Sequence, residues 1–260
     1  MGRSLRLSGR QRQAPRWSPS GTTGRLPDVT GAFSVVIPTL QRSPMLADVV
    51  ALFAGHHLVR EVIIINNAAP ALGFGDRKVR ILDQDENIFV NPAWNLGVRE
   101  ARSPYLIISN DDLVFPPRLV DSALRRLGPR TGIIGPDKSC FLPGRDGRAR
   151  FRPTYELTHA FGTLMFMARS SYVPVPDQLK IFFGDDWLFY HQRRRNLLLR
   201  GPRVVSPMSV TSGSPEFIQQ MELDKDVWRS TYAGDRPYHQ QFRWEAAIAR
   251  RVKRTTPVVV

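Results

Sequence analysis

The chain has 260 residues, enough for one sizeable hydrophobic core with flexible ends. A hydrophobic fraction of 42% and a charged fraction of 23% are those of a globular protein, and no apolar run reaches the ~20 residues that span a bilayer. Its 37 Lys and Arg against 23 Asp and Glu give a net charge of +14, which favours anionic partners, while a single cysteine, Cys140, excludes an internal disulfide or a cysteine metal cluster.

Residues 1–30 read as a disordered basic tail. Arg3, Arg6, Arg10, Arg12, Arg16 and Arg25 face one acid, Asp28, so the segment carries +6 − 1 = +5. Gly, Ser, Pro and Thr fill much of the rest, and such a stretch buries too little surface to offset its ordering entropy. The segment lacks the apolar core of a secretory signal, which points to the cytoplasm or to peripheral contact with the inner membrane face.

Ordered patterning begins at Phe33. Ser34-Val35-Val36-Ile37, stopped by Pro38, has the apolar, β-branched character of a buried parallel strand. Residues 43–56 predict a helix with Met45, Val49, Leu52 and Phe53 on one face. Glu61 to Ile65 predicts a second strand that ends in Asn66-Asn67, and Val79 to Leu82 a third. Asn91 to Ala101 predicts a helix with Pro92 in its first turn. Tyr105 to Ile108 predicts a fourth strand running straight into Ser109-Asn110-Asp111-Asp112, followed by a helix over Pro117–Leu127.

Beyond Ile133–Pro136 the pattern loosens. Residues 141–153 read as an Arg-, Gly- and Pro-rich loop, Phe161–Ala168 as a strand, and Trp187–Arg195 as a helix opened by Phe182-Phe183-Gly184-Asp185-Asp186. From 221 onward the chain reads as a basic helical extension. Trp244, Ile248 and Val252 recur every fourth residue among Arg243, Arg250, Arg251, Lys253 and Arg254, a basic amphipathic helix suited to an anionic surface or to packing on the domain.

Strands alternating with helices predict βαβ units and an α/β domain over 31–220 with a mostly parallel sheet flanked by helices. Ligands of such sheets bind outside the carboxyl ends of the strands. Those ends carry Thr39, Asn66-Asn67 and Asn110-Asp111-Asp112, polar groups that each follow an apolar run.

Adjacent carboxylates such as Asp111 and Asp112 repel, so keeping both charged at a strand end calls for a cation or for hydrogen-bond donors. A divalent metal held by one or two carboxylates and substrate phosphates meets that need, and a cap on the next helix meets it equally on this motif alone. The second acidic pair, Asp185-Asp186, opens a predicted helix beside Phe182, Phe183 and Trp187. One carboxylate suffices as a cap, and desolvation of the other would raise its pKa toward that of a general base.

These motifs, in this order over about residues 33–195, resemble the inverting family 2 glycosyltransferases of the Rossmann-like GT-A fold. Ser34–Thr39 followed by Arg42 is similar to the family's first strand and turn, Glu61–Asn67 to its second strand, and Asn87 with Asn95-Leu96-Gly97 to its Asn/Gly signals. Tyr105–Asp112 followed by Pro116 resembles the metal-motif strand, and Phe183-Gly184-Asp185-Asp186 the base motif. The resemblance implies a metal-assisted transfer of sugar from a nucleoside diphospho-sugar (UDP-, GDP- or dTDP-linked) to an acceptor hydroxyl. It implies Mn²⁺ or Mg²⁺ on Asp112 with Asn110, a donor pocket of Pro38, Thr39, Arg42, Asn66, Asn67, Asn87, Asn95, Asn110 and Asp111, and Asp186 as base with Asp185 next to it. The sequence departs from the family pattern at Asn66, where Asp is common, at Asn110, which replaces an acid, at Phe89, where Gly is common, and at Leu188, which replaces a later acid; Val204–Ser214 also holds no late His.

Two rival readings remain at this stage. A nucleotidyltransferase would need a Gly-rich phosphate loop early in the chain, and Pro38–Arg42 has no glycine. A nucleic-acid-binding protein would use the basic termini on an inactive scaffold. The charge also allows a merged reading, a transferase whose acceptor is anionic: a glycan, a lipid-linked chain or nucleic acid.

Overall fold

The structure, a computed structural model, describes residues 31–144, 146–207, 215–235 and 237. The tail 1–30 and the basic amphipathic helix around Trp244–Val252 lie outside the described residues.

Eight strands form one mixed sheet: β1 Phe33–Thr39, β2 Val59–Asn66, β3 Val79–Asp83, β4 Tyr105–Ser109, β5 Thr131–Pro136, β6 Arg150–Thr154, β7 Leu164–Ala168 and β8 Arg195–Arg200. Their order across the sheet is β3-β2-β1-β4-β7-β5-β8-β6. β1 pairs in parallel with β2 and β4, β2 with β3, and β5 with β8, while β7 runs antiparallel between β4 and β5 and β6 antiparallel along β8. Six strands therefore point the same way, as the apolar runs predict.

Five α-helices flank the sheet among the described residues: α1 Leu46–Ala54, α2 Val90–Glu100, α3 Arg118–Arg126, α4 Gly184–Tyr190 and α5 Pro215–Val227. Because neighbouring strand residues face opposite ways, β1 and β2 build two cores at once. Val35, Ile37, Val62 and Ile64 pack with Val49 and Phe53 of α1 and Leu119 of α3. Val36, Ile63 and Ile65 pack with Ala93 and Trp94 of α2 and Leu188 of α4. A close approach of α2 needs Gly97: a Cβ there would come 2.3 Å from Val36 Cγ1.

Three sequence expectations change. The helix expected over Trp187–Arg195 stops at Tyr190, and Arg195–Arg200 is the buried strand β8, whose core Asn196-Leu197-Leu198-Leu199 is flanked by arginines. The loop expected over 141–153 ends in β6, an edge strand whose exposed Arg152 and Pro153 suit a position with no outer partner. The strand expected from Phe161 starts at Leu164, because Phe161–Thr163 form a 3-10 turn.

Candidate active site

Strand order reverses direction of growth between β1 and β4, and the cleft opens there, at the carboxyl ends. It has a volume of about 310 Å³. Pro38 and Thr39 at the end of β1, Asn67 after β2, and Asn110-Asp111-Asp112 after β4 form its floor. One wall is Asn87, Phe89, Val90 and Trp94 at the start of α2. The rest of the lining is His159, Gly162 and Thr163 ahead of β7, Ile181, Phe182 and Asp185 around the start of α4, which packs against the start of α2, and Phe217 of α5.

The two carboxylates of the floor are held differently. Thr39 Oγ1 donates to Asp111 Oδ2 at 2.6 Å, and the Gln41 N–H donates to Thr39 Oγ1 at 2.9 Å. Burial raises the pKa of Asp111, and the neighbouring charge of Asp112 adds to the rise. Ser206 Oγ donates to Asp112 Oδ2 at 3.2 Å, the Asn110 side chain also donates to this carboxylate, and burial again raises its pKa. Oδ1 of Asp112 is buried and has no hydrogen-bond partner among the described residues. A buried acceptor left bare costs free energy, and a carboxylate oxygen of this kind fits the donor set of a divalent cation. Asn110 faces Asp112 as a donor, and its own N–H is spent on Thr163 O at 3.0 Å.

The third carboxylate of the cleft, Asp185, lies over Gly162, where a Cβ would come 2.6 Å from Oδ2. Only glycine leaves room for it. Burial raises the pKa of Asp185; the N–H groups of Asp185 and Asp186 at the start of α4, and the charge of His159, pull the other way. Asp186 is on the first turn of the same helix and does not line the cleft.

Of the remaining residues singled out in the sequence, Asn87 and Asn67 reach the cleft, whereas Arg42, Asn66 and Asn95 do not line it. Asn67 is 6% exposed, and its Oδ1 has no partner among the described residues. Asn66 is 1% exposed and fully engaged: Nδ2 donates to Asp83 Oδ1 at 2.7 Å, and Oδ1 accepts from Gln41 Nε2 at 2.9 Å. An amide rather than an acid suits this place, because the group must donate to a carboxylate. The Asn95 carboxamide ties α2 to the segment before α4, accepting from Tyr172 Oη at 2.8 Å and donating to Val175 O at 2.8 Å. Arg42 is exposed.

Sequence reasoning placed Phe182 beside the second acidic pair and left Trp94, His159, Ile181 and Phe217 out of the site. Each of the latter reaches the cleft through tertiary packing and carries no local signal. Among the described residues three non-glycines have positive φ, Gln41 (57°), Phe89 (69°) and Phe183 (62°); two of them adjoin cleft residues and Phe89 is itself one. Strained backbone of this kind collects at functional sites. Phe89 falls where the family pattern often has glycine, which matches its φ.

A second group of titratable residues lies away from the cleft. His56 Nε2 is 3.2 Å and His57 Nε2 3.5 Å from Asp121. His56 Nδ1 accepts the Leu58 N–H at 3.2 Å, so in the neutral ring Nε2 keeps its proton and donates to Asp121. That protonation leaves no lone pair for a metal, and the group ties the end of α1 to α3.

Comparison with known proteins identifies the fold and the family. The GT-A fold recurs in solved glycosyltransferases. S. aureus TarS 1–349 in complex with UDP is 10% identical, with 78% of this chain and 72% of that chain covered and a TM-score of 0.52. The same TarS segment in complex with UDP-GlcNAc is 11% identical over 83% of this chain and 71% of that chain, with a TM-score of 0.52. GalNAc-T7 with UDP, GalNAc and Mn²⁺ is 15% identical over 78% of this chain and 50% of that chain, with a TM-score of 0.52. None of the curated proteins compared matches the chain. The profile described as Glycosyl transferase family 2 matches residues 34–172, more than half of the chain, and the protein belongs to that family. It is a glycosyltransferase of the nucleotide-sugar-dependent class.

Proposed function

We propose that the protein transfers a hexosyl group from a nucleoside diphospho-sugar to an acceptor hydroxyl, with inversion at the anomeric carbon and with Mn²⁺ or Mg²⁺ at Asp112. The observation that carries this reading is the convergence of three carboxylates on one cleft, Asp111 and Asp112 after β4 and Asp185 at the start of α4. The bare, buried Oδ1 of Asp112 fits a cation ligand. A bound cation would offset the charge that builds on the departing nucleoside diphosphate.

The chain's own residues then divide the work. Asn67 offers its free Oδ1 to an N–H or O–H of the nucleoside, and Thr39 orients Asp111 toward the donor sugar or ribose. Asp185 takes the proton from the acceptor hydroxyl as the new C–O bond forms, and the electron pair of the breaking bond leaves on the diphosphate. A base needs access to the cleft before it needs a suitable pKa. Asp185 has that access and a raised pKa, so we assign it the role in preference to Asp186.

The reading is tested by incubating the chain with UDP-, GDP- and dTDP-sugars, with and without Mn²⁺, and measuring nucleoside diphosphate release with water as the surrogate acceptor. Metal-dependent release from at least one donor is expected. Neither release nor thermal stabilisation by any donor would favour the inactive-scaffold reading.

For the acceptor, charge favours a phosphate-bearing chain. Lys138, Arg148, Arg150, Arg200 and Arg203 gather beyond the cleft, at the same carboxyl edge of the sheet, with Asp137 and Asp146 as the nearby acids. Asp137 is engaged by Arg200 and Asp146 by Arg118, and no described acid pairs with Lys138, Arg148 or Arg150. Two residues lie between Arg203 and Ser206, which touches Asp112, so this corner lies within about 10 Å of chain from the floor of the cleft. With fluorescent polyphosphate as probe, Arg148→Glu and Arg150→Glu should each weaken binding several-fold and leave nucleotide affinity unchanged. Equal binding by the variants would remove this acceptor class.

A further inference from the structure

The wall that carries Asp185 is secured by an acid with no place in the chemistry above. Asp224, in the last turn of α5, is 0% exposed. Burying a carboxylate is costly unless donors surround it. Here four do. Oδ1 accepts the Lys180 N–H at 3.1 Å and Gln220 Nε2 at 2.8 Å, and Oδ2 accepts the Ile181 and Phe182 N–H groups at 2.7 and 2.8 Å. Three consecutive backbone N–H groups closing on one anion form a nest, and their bonds to a charged acceptor are about twice as strong as neutral ones.

The same stretch of backbone is gripped through its carbonyls as well. Asn91, in the first turn of α2, donates from Nδ2 to the carbonyls of Leu179 at 3.2 Å and Phe182 at 3.1 Å, and from its N–H to Lys180 O at 2.9 Å. Carbonyls are thus held by α2 and N–H groups by α5, over 179–182. The chain leaves this grip through Phe183, forced into the left-handed region at φ 62°, and enters α4, where Asp185 is the second residue. Ring packing follows the same line. Phe217 of α5 meets Phe182 edge-on at 4.9 Å, and Trp228 stacks on Phe183 at 5.2 Å.

We infer that Asp224 is a positioning residue: its carboxylate fixes the 180–182 backbone and so aims Asp185 at the reacting hydroxyl, which makes α5 part of the catalytic unit. This inference rests on the transferase reading for its consequence in turnover, though the clamp stands on geometry alone. It also places α5, which runs across residue 221 and lies beyond the matched family segment, in the wall of the cleft.

The test compares Asp224→Asn and Asp224→Ala with the wild type by amide hydrogen exchange, donor binding and turnover. An amide oxygen cannot replace two carboxylate oxygens toward three N–H groups. Exchange at 180–182 should therefore quicken in both variants. A misplacement near 1 Å costs a factor of about 10² in rate. kcat should fall by that order, with the KM for the donor and the Mn²⁺-dependent nucleotide affinity within a few-fold of wild type. Should the alanine variant not fold, the asparagine variant carries the test. Unchanged exchange at 180–182 would overturn the clamp whatever the protein's activity. Faster exchange with unchanged kcat would overturn the positioning role. A wild type that binds nucleotide and transfers nothing would refute the transferase reading, and exchange would still decide the clamp.

Discussion

Replacing Asp112 by alanine is expected to lower kcat/KM by about 10³-fold, equivalent to about 4 kcal/mol of transition-state stabilisation. The loss should appear also as weaker nucleotide binding in the presence of Mn²⁺, with binding in the absence of metal little changed. Among the described residues Asp112 Oδ1 is a buried oxygen without a partner, whereas Asp111 has Oδ2 engaged by Thr39 and Asn110 is turned to Asp112 as a donor. The variant should fold. In the free protein the Asp112 carboxyl has a raised pKa, so its charged form at pH 7 opposes folding, and its removal is expected to leave the melting temperature unchanged or higher. Acidification should mimic the substitution: as pH falls through this raised pKa the carboxyl becomes protonated and Mn²⁺ affinity drops.

Asp185→Asn is expected to reduce kcat by about 10²- to 10⁴-fold, the range for loss of a general base, while nucleotide and metal affinities stay near wild type. The signature is in the pH profile. A base works deprotonated, so kcat falls as pH drops through its pKa. Because burial lifts the Asp185 carboxyl, the acidic limb of the wild type should lie above the usual carboxylate value of about 4. That limb should vanish in Asp185→Asn. Asp186→Asn should retain most of the wild-type rate, since Asp186 does not line the cleft. Reversal of these two phenotypes would return the base to Asp186.

The strand β4 was legible because its signal is local: an apolar run, Tyr105–Ile108, followed at once by Asn110-Asp111-Asp112. The same holds for β1, β2 and the helices α1 to α3, whose boundaries shift by a few residues at most. Asp185 and Asp186 could not be told apart by composition, because they are adjacent acids at one helix start. Which one faces the cleft depends on the phase of α4, set by Phe183 in the left-handed region and by the grip of Asn91 and Asp224 on 179–182. Asn66 and Asn67 pose a similar problem. Successive residues at a strand end point to opposite sides, and only Asn67 turns to the cleft. Arginines at 193–195 and 200 hid β8, whose three leucines are buried only because β5 and β6 flank them. Asp224 was invisible for the same reason: on α5 it is one acid among several, and its burial is a fact of tertiary packing.

We propose a cation-dependent nucleotide site built on Asp112, with Asp185 of the same cleft as base. Calorimetric titration of UDP, GDP and dTDP into the full chain, with and without Mn²⁺, tests it most directly when run on wild type, Asp112→Ala and Asp185→Asn. Mn²⁺-dependent binding of at least one nucleotide by the wild type, lost in Asp112→Ala and kept in Asp185→Asn, is the predicted result. Binding that ignores Mn²⁺, or that survives unchanged in Asp112→Ala, would contradict it.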